Sequence, residues 1–305
     1  MNYAEIAAVY LVPSATPIPV PAVTPTSARR LRDALEPIAT QGWWAKGVHA
    51  RLELTGIGFL EGYVWGRAAA LGEPTGGVVA ATFGVFEPTF LASVYEQGRA
   101  MIGRDAVLAA REAGAVESLE AVIAGTPSVS DAEVASAGDV LLEACSRLDV
   151  TARPLFSGLR DLRVPSSPAG RLWRGAELVR EHRGDGHLGV CIAEGLDPLE
   201  MSIMTELWLD YGVGDYSSSR GYGPEAITAA LTRLAARGWI DGQALTAQGR
   251  SARTRMEEVT DRTQSALVDA LGDQLDVVVA IGERLSDAVV AAGAFPTDPR
   301  KRAAG

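Results

Sequence analysis

From Ser27 onward, apolar residues recur at helical spacing. In TSARRLRDALEPIA, Leu31, Leu35 and Ile38 share one face, and Ser27 can cap the helix start. The stretches GIGFLEGYVWGRAAALG, GGVVAATFGVFEPTFLASVYEQGRAMIG and RDAVLAAREAGAVESLEAVIAG continue the pattern. TPSVSDAEVASAGDVLLEACSRL adds a helix capped by Ser130 or Asp131, and the turn-rich DVTARPLFSGLRDLRVPSSPAG then crosses to a second unit. There GPEAITAALTRLAARGWI predicts a helix with Ile227, Leu231 and Leu234 on one face and Gly238 at its stop. IDGQALT predicts a very short hairpin turning at Asp241 and Gly242, and TAQGR opens a long helix. Two long helical stretches, TAQGRSARTRMEEVTDRTQSALVDAL and DQLDVVVAIGERLSDAVVAAG, are followed by KRAAG, which reads as a frayed tail. The expected organisation is an arm over 1–27, a helical domain over 28–150, a winged-helix-like domain over 165–265 and a C-terminal helix over 266–300.

Composition agrees with a mainly α fold: 47% of the residues are apolar and only 6% aromatic. In the first 27 residues, Pro13, Pro17, Pro19, Pro21 and Pro25 predict an extended arm, flexible or laid across a partner. Its start carries Glu5 and no Lys or Arg, unlike a secretory signal. No run approaches the roughly 18 apolar residues of a membrane span. Cys145 and Cys191 sit in apolar stretches, so buried thiols and a reducing cytoplasm are expected. The net charge is -10, so a DNA-binding role requires a basic face that is visible locally.

The order helix, short wing, LTAQGR, helix ending EEVTDR resembles a winged helix-turn-helix of the MarR type over roughly 165–265. EPIA, GYVWGRAAALG, FGVFEP, RPLF, LWRGAELVREHRGDGH and LTAQGR together resemble an actinobacterial helix-turn-helix family of mostly uncharacterised members. That family carries a His shortly after EP. Here the position is Ala39, so no role tied to that His carries over. The outward face of the second helix offers Glu225, Thr228, Ala229, Thr232, Arg233 and Ala236, with Arg237 near its end, and the wing DGQA has no cation. DNA binding is therefore not expected, Arg233 and Arg237 being the contacts if there are any, and packing or dimerisation is the expected use.

Candidate chemistry concentrates in REHRGDGH, Arg180 to His187. On a helix of about 100° per residue, Leu172, Ala176 and Val179 form the apolar face, with Arg174, Glu177 and Glu181 opposite and solvated. Arg183 falls in the apolar stripe, Arg180 beside Trp173, and His182 on the far edge. Gly184 suits a helix C-cap, and Asp185 can cap a following helix that holds His187 in its first turn. A cation-rich helix end meeting a helix start makes an anion site, in which His187, His182 and Asp185 could move protons while Arg180 and Arg183 hold the anion. The competing structural expectation pairs these arginines with Glu61, Glu87, Glu194 or Glu206. Tyr63 and Arg67 share a helix face, and the loop DYSSSRGYGP brings Tyr216, Ser218, Arg220 and Tyr222. Trp43 and Trp44 read as core or interface.

No cofactor motif is present, and His182 with His187 lacks the spacing and companions of a metal site. The expected function is an enzyme or enzyme subunit of specialised metabolism. It would bind an anionic small molecule and assist elimination or ring closure, for example aziridine formation by sulfate loss. The alternatives are a ligand-responsive regulator and a non-catalytic partner protein. Homo- or hetero-oligomerisation is expected, and a membrane partner is not.

Overall fold

The computed structural model describes residues 20–21 and 23–304. Most of the proline-rich arm lies outside the described residues, although Val20 and Val23 pack against the second of two apolar clusters.

The first cluster is built around α1 (Ser27–Trp44), buried on nearly every side. Its cap is Thr26, whose hydroxyl accepts the Arg29 N–H, one residue before the expected Ser27. After α1 come α2 (Lys46–Glu53), α3 (Phe59–Ala68), α4 (Gly76–Phe83), α5 (Pro88–Met101), α6 (Arg104–Ala124), α7 (Asp131–Ser146) and α8 (Pro154–Arg160). A Ser130–Glu133 capping box starts α7. The long helix α9 (Pro168–Ala193) crosses from the first cluster, through Leu172, Trp173 and Val179, to the second, through Val190 and Cys191.

The second cluster holds α10 (Pro198–Trp208), α11 (Pro224–Ala236), the two-residue strands β1 (Ile240–Asp241) and β2 (Ala244–Leu245), and α12 (Ala247–Arg262). The strands are antiparallel, Ile240 facing Leu245, and turn at Gly242 with φ +58°. This is a winged helix-turn-helix-like unit with a very short wing. The glycine of LTAQGR is sterically required. A Cβ on Gly249 would lie 1.9 Å from the Trp239 carbonyl oxygen, so only glycine lets α12 start against the wing. Thr246 completes the junction, accepting from Gly249 N–H and donating to Gly238 O.

The chain then returns to the first cluster through α13 (Ser265–Leu271) and α14 (Leu275–Ala291), where Leu267, Val278 and Leu285 are buried. It closes with α15 (Pro299–Ala303). Helix α14 lies against α1 at Gly282, where a Cβ would come within 2.9 Å of Ala34 O. The apolar clusters thus do not follow the linear segments 165–265 and 266–300: the start of α9 belongs with the helical body, and so do α13 and α14.

Three local expectations are corrected. Helix α9 runs unbroken through Gly184, Asp185 and Gly186, so Gly184 is no C-cap and Asp185 no N-cap. Gly186 instead permits close approach, since a Cβ there would sit 2.7 Å from Thr263 Oγ1 and 2.8 Å from Arg153 Nη1. Arg174, Glu177 and Glu181 are buried rather than solvated. The expectation assumed one wet face, but α9 is packed by α6, α7 and α8 as well as by α1 and α12. KRAAG is likewise not a frayed tail throughout: Asp298 caps α15 and Lys301 is buried.

Candidate functional site

Arginines enter the interior at several places, and the supply of carboxylates separates them. In the deepest cluster, Arg183 donates to Asp261 Oδ1 at 2.7 Å and Glu257 Oε2 at 3.1 Å. Arg29 reaches the same two carboxylates, at 2.8 Å to Glu257 and 3.1 Å to Asp261. Arg253 closes on the other Glu257 oxygen at 2.5 Å. The surrounding guanidiniums outweigh burial and hold Glu257 well below the usual carboxylate range. The partners of the inward arginines are therefore Glu257, Asp261, Glu181 and Glu36, not Glu61, Glu87, Glu194 or Glu206.

The three groups expected to move protons are engaged by protein. His187 Nδ1 lies 2.9 Å from Thr260 Oγ1, whose own proton goes to Met256 O, so His187 donates there. Its Nε2 lies 3.5 Å from Cys191 Sγ. His182 Nδ1 is 2.8 Å from Gln264 Oε1, and its ring meets Phe156 edge-on. Burial pushes both imidazoles down to about 4, so both are neutral near pH 7. Asp185 accepts the Phe156 N–H at the start of α8, and burial pushes its carboxyl up to about 7. The enclosed space beside Arg180 and Arg183 is about 10 Å³, room for one water and no more. Among the described residues, the side chains of His187, His182, Asp185 and Arg183 are each engaged by protein partners.

Four of the expected binding residues do converge, at the junction between the helical body and the winged-helix unit. Arg67 grips Glu181 with one nitrogen at 2.9 and 3.1 Å, and donates to Tyr63 Oη at 3.2 Å. Arg180 donates to the same Glu181 at 2.9 Å, and its Nε lies 3.7 Å from Glu36. Both guanidiniums sit over the Trp43 ring, at 4.6 and 4.5 Å from its centroid. Tyr63 contacts Phe86, and Phe86 contacts Arg220, which stacks 3.5 Å over the Tyr216 ring. Lys301 Nζ is 4.5 Å from the same ring. Burial would raise the Tyr216 hydroxyl, but Arg220 and Lys301 outweigh it and bring the group down to about 8.

The loop bearing Tyr216 and Arg220 is fixed from two sides. Fully buried Glu206 accepts from Gly214 N, Tyr216 N, Ser217 N and the Ser217 hydroxyl. From FGVFEP, Glu87 N–H donates to Arg220 O and Phe86 O accepts from Tyr222 Oη. Gly221, at φ +90°, faces the Phe90 ring, where a Cβ would come within 2.6 Å. Sequence reasoning missed Trp43 as the platform, Glu36 and Glu181 as counter-charges, and Lys301 altogether. The paired tryptophans and the Tyr, Ser, Arg loop were the available signals.

The surface of the winged-helix unit is not basic. Arg233 pairs with Asp197 and, at 2.9 Å, with Glu200. Arg237 donates to the carbonyls of Glu194 and Gly195 and covers Trp239. Glu225, Thr228, Ala229 and Thr232 are exposed on α11, as are Asp241, Gly242, Gln243 and Ala244 in the wing. Among the described residues, no group of three His, Cys, Asp or Glu is arranged to hold a metal ion, and no helix is long and apolar enough to cross a membrane.

Neither the curated proteins nor the solved structures include a match to this sequence. A helix-turn-helix family model matches residues 28–296. That span takes in both apolar clusters, the ionic interior and the junction site, and the chain belongs to this helix-turn-helix family.

Proposed function

We propose that this protein binds an anionic small molecule at the junction of Arg180, Tyr63, Tyr216 and Arg220, and that its winged-helix unit packs against protein rather than reading DNA. One observation carries the proposal. Among the described residues Arg220 has no carboxylate within ion-pair distance, and its buried Nε has no acceptor. The indole N–H of Trp43, at the same junction, is also buried without one. Unmatched buried donors beside a guanidinium favour an external acceptor with negative charge. Elimination or ring closure by His187, His182 and Asp185 has no such support, because each side chain is held by protein.

Thermal unfolding of the full chain with added sulfate, phosphate or benzoate tests the proposal. The midpoint is expected to rise with at least one of these anions, and Arg220→Ala to abolish the rise, since a ligand stabilises only through its site. No rise with any anion, or an undiminished rise in Arg220→Ala, overturns it. A second reading, a MarR-type regulator that senses the same ligand, is favoured by the family match. It requires duplex DNA binding at low salt, where non-specific affinity is on the order of 10⁻⁴–10⁻⁶ M or tighter. The paired state of Arg233 and Arg237 favours the absence of such binding.

A further inference from the structure

We propose a second ligand site, apart from the junction. The cleft between α6 and the segment 161–167 that leads into α9 takes a short apolar peptide with free termini, its carboxylate held at Arg174 and its ammonium at Glu120. The cleft measures about 720 Å³, within the range of small-ligand pockets. Leu108, Ala113 and Val116 line it from α6, Leu162 and Pro165 line it from the other side, and the buried Trp173 lies at its floor.

The inner charges of this cleft do not balance. Arg111 and Arg174 line it over the Trp173 ring, at 5.2 and 5.4 Å from the centroid. Both reach one carboxylate, Glu177. Arg111 donates to its Oε1, whereas Arg174 Nε lies 3.4 Å from its Oε2 without the alignment of a hydrogen bond. The second carboxylate, Glu112, accepts from Arg163 at 2.7 Å and stands 4.0 Å from Arg174. Three guanidiniums thus share two carboxylates, and the buried Nε atoms of Arg111 and Arg174 have no acceptor. Burial outweighs the paired charge and holds the Arg174 guanidinium below its ordinary range. A carboxylate supplied by a ligand restores the balance.

The rim has the opposite sign. Arg104 donates to Ala69 O and lies 3.8 Å from Asp105, and Glu117 pairs with Arg51. Among the described residues, Glu120 and Asp161 have no cation within ion-pair distance. Such a rim repels a ligand that is only an anion and attracts one that also carries an ammonium. Glu120 follows Arg111 by nine residues on one helix, about 13 Å along its axis. An extended chain covers that span in about four residues, and its side chains would meet Ala113, Val116 and Pro165 on the way.

Calorimetric titration of the full chain with tetra-alanine, its N-acetyl form and its C-terminal amide tests the proposal. Tetra-alanine is expected to bind, and either cap to weaken binding by about tenfold, the scale of one charge-assisted hydrogen bond. Glu120 is exposed, so Glu120→Gln leaves the fold intact. That variant should bind tetra-alanine and its N-acetyl form equally, while the amide still binds more weakly. Arg220→Ala, at the junction, should bind tetra-alanine as the wild type does. No binding of tetra-alanine, undiminished binding of either capped form, or an acetyl penalty that survives Glu120→Gln overturns the proposal. Loss of tetra-alanine binding in Arg220→Ala would move the peptide to the junction and overturns it too, whereas none of these results bears on the anion reading of that site.

Discussion

Arg183 and Arg220 are the same kind of side chain in opposite situations. Arg183 meets two buried carboxylates that also serve Arg29 and Arg253, so its charge is spent on holding α1, α9 and α12 together. Arg220 meets an aromatic ring and a backbone carbonyl, and among the described residues no carboxylate. The contrast teaches that an inward arginine is not by itself a sign of a ligand site. What distinguishes the two regions is whether the fold supplies the counter-charge.

The sharpest way to break the comparison is to remove the counter-charge from the matched cluster. Glu257→Ala strands Arg29, Arg183 and Arg253 and is expected to cost about 3–5 kcal/mol of unfolding free energy, read by denaturant melts. A loss no larger than that of an exposed substitution would mean the cluster is hydrated and not the structural element described here.

The next effect is set by Asp185. Its carboxyl is raised in the fold to about 7 from an ordinary 3.8, so its stabilising contribution is full below pH 4 and lost as pH rises through 7. That loss is at most roughly 4 kcal/mol. Asp185→Asn should remove the fall in stability between pH 4 and pH 7 that this group causes, measured by the same melts. The histidines act in the opposite direction. His49, His182 and His187 are depressed to about 4, so the stability they confer as neutral groups is full above pH 6.5 and lost as pH falls through 4. Each contributes on the order of 3 kcal/mol or less. Between pH 4 and 6.5 the single aspartate offsets only one of the three histidines, so the wild type loses stability toward acid and His182→Gln should give a less steep profile.

At the unmatched site the expected order is reversed. Arg220→Ala should change stability by no more than about 0.5 kcal/mol, as for a residue outside the core. Its cost should appear instead as roughly a tenfold loss of benzoate affinity. The smallest effect is expected for Arg233→Ala and Arg237→Ala tested with DNA. Retention on duplex at low salt should be unchanged from a negligible wild-type value, and measurable wild-type binding that these variants abolish would restore the DNA reading.

Much of the fold was legible because helical burial leaves a period. The stripe Leu31, Leu35, Ile38, the cap at Ser130, the break at Gly238 and the turn at Gly242 were all local signals, and each has its counterpart in the structure. The basic-poor wing was legible for the same reason. Glu181 was not. A helical projection assigns one face to solvent, whereas α9 is surrounded, and its polar face is buried against Arg67 and Arg180. The same projection that set Arg183 inward correctly could not supply its partners, since Glu257 and Asp261 lie on α12, far along the chain.

Helical periodicity and turn residues set the helices and the short wing, and composition supplies the residue types of the junction, Tyr63, Arg67, Arg180 and Arg220. Which arginines are neutralised is settled by packing alone. Charge compensation acts through space, over a few ångströms, between residues whose separation along the chain is set by how α1, α9, α12 and the α10–α11 loop pack. The same packing carried Lys301 from the end of the chain to the Tyr216 ring.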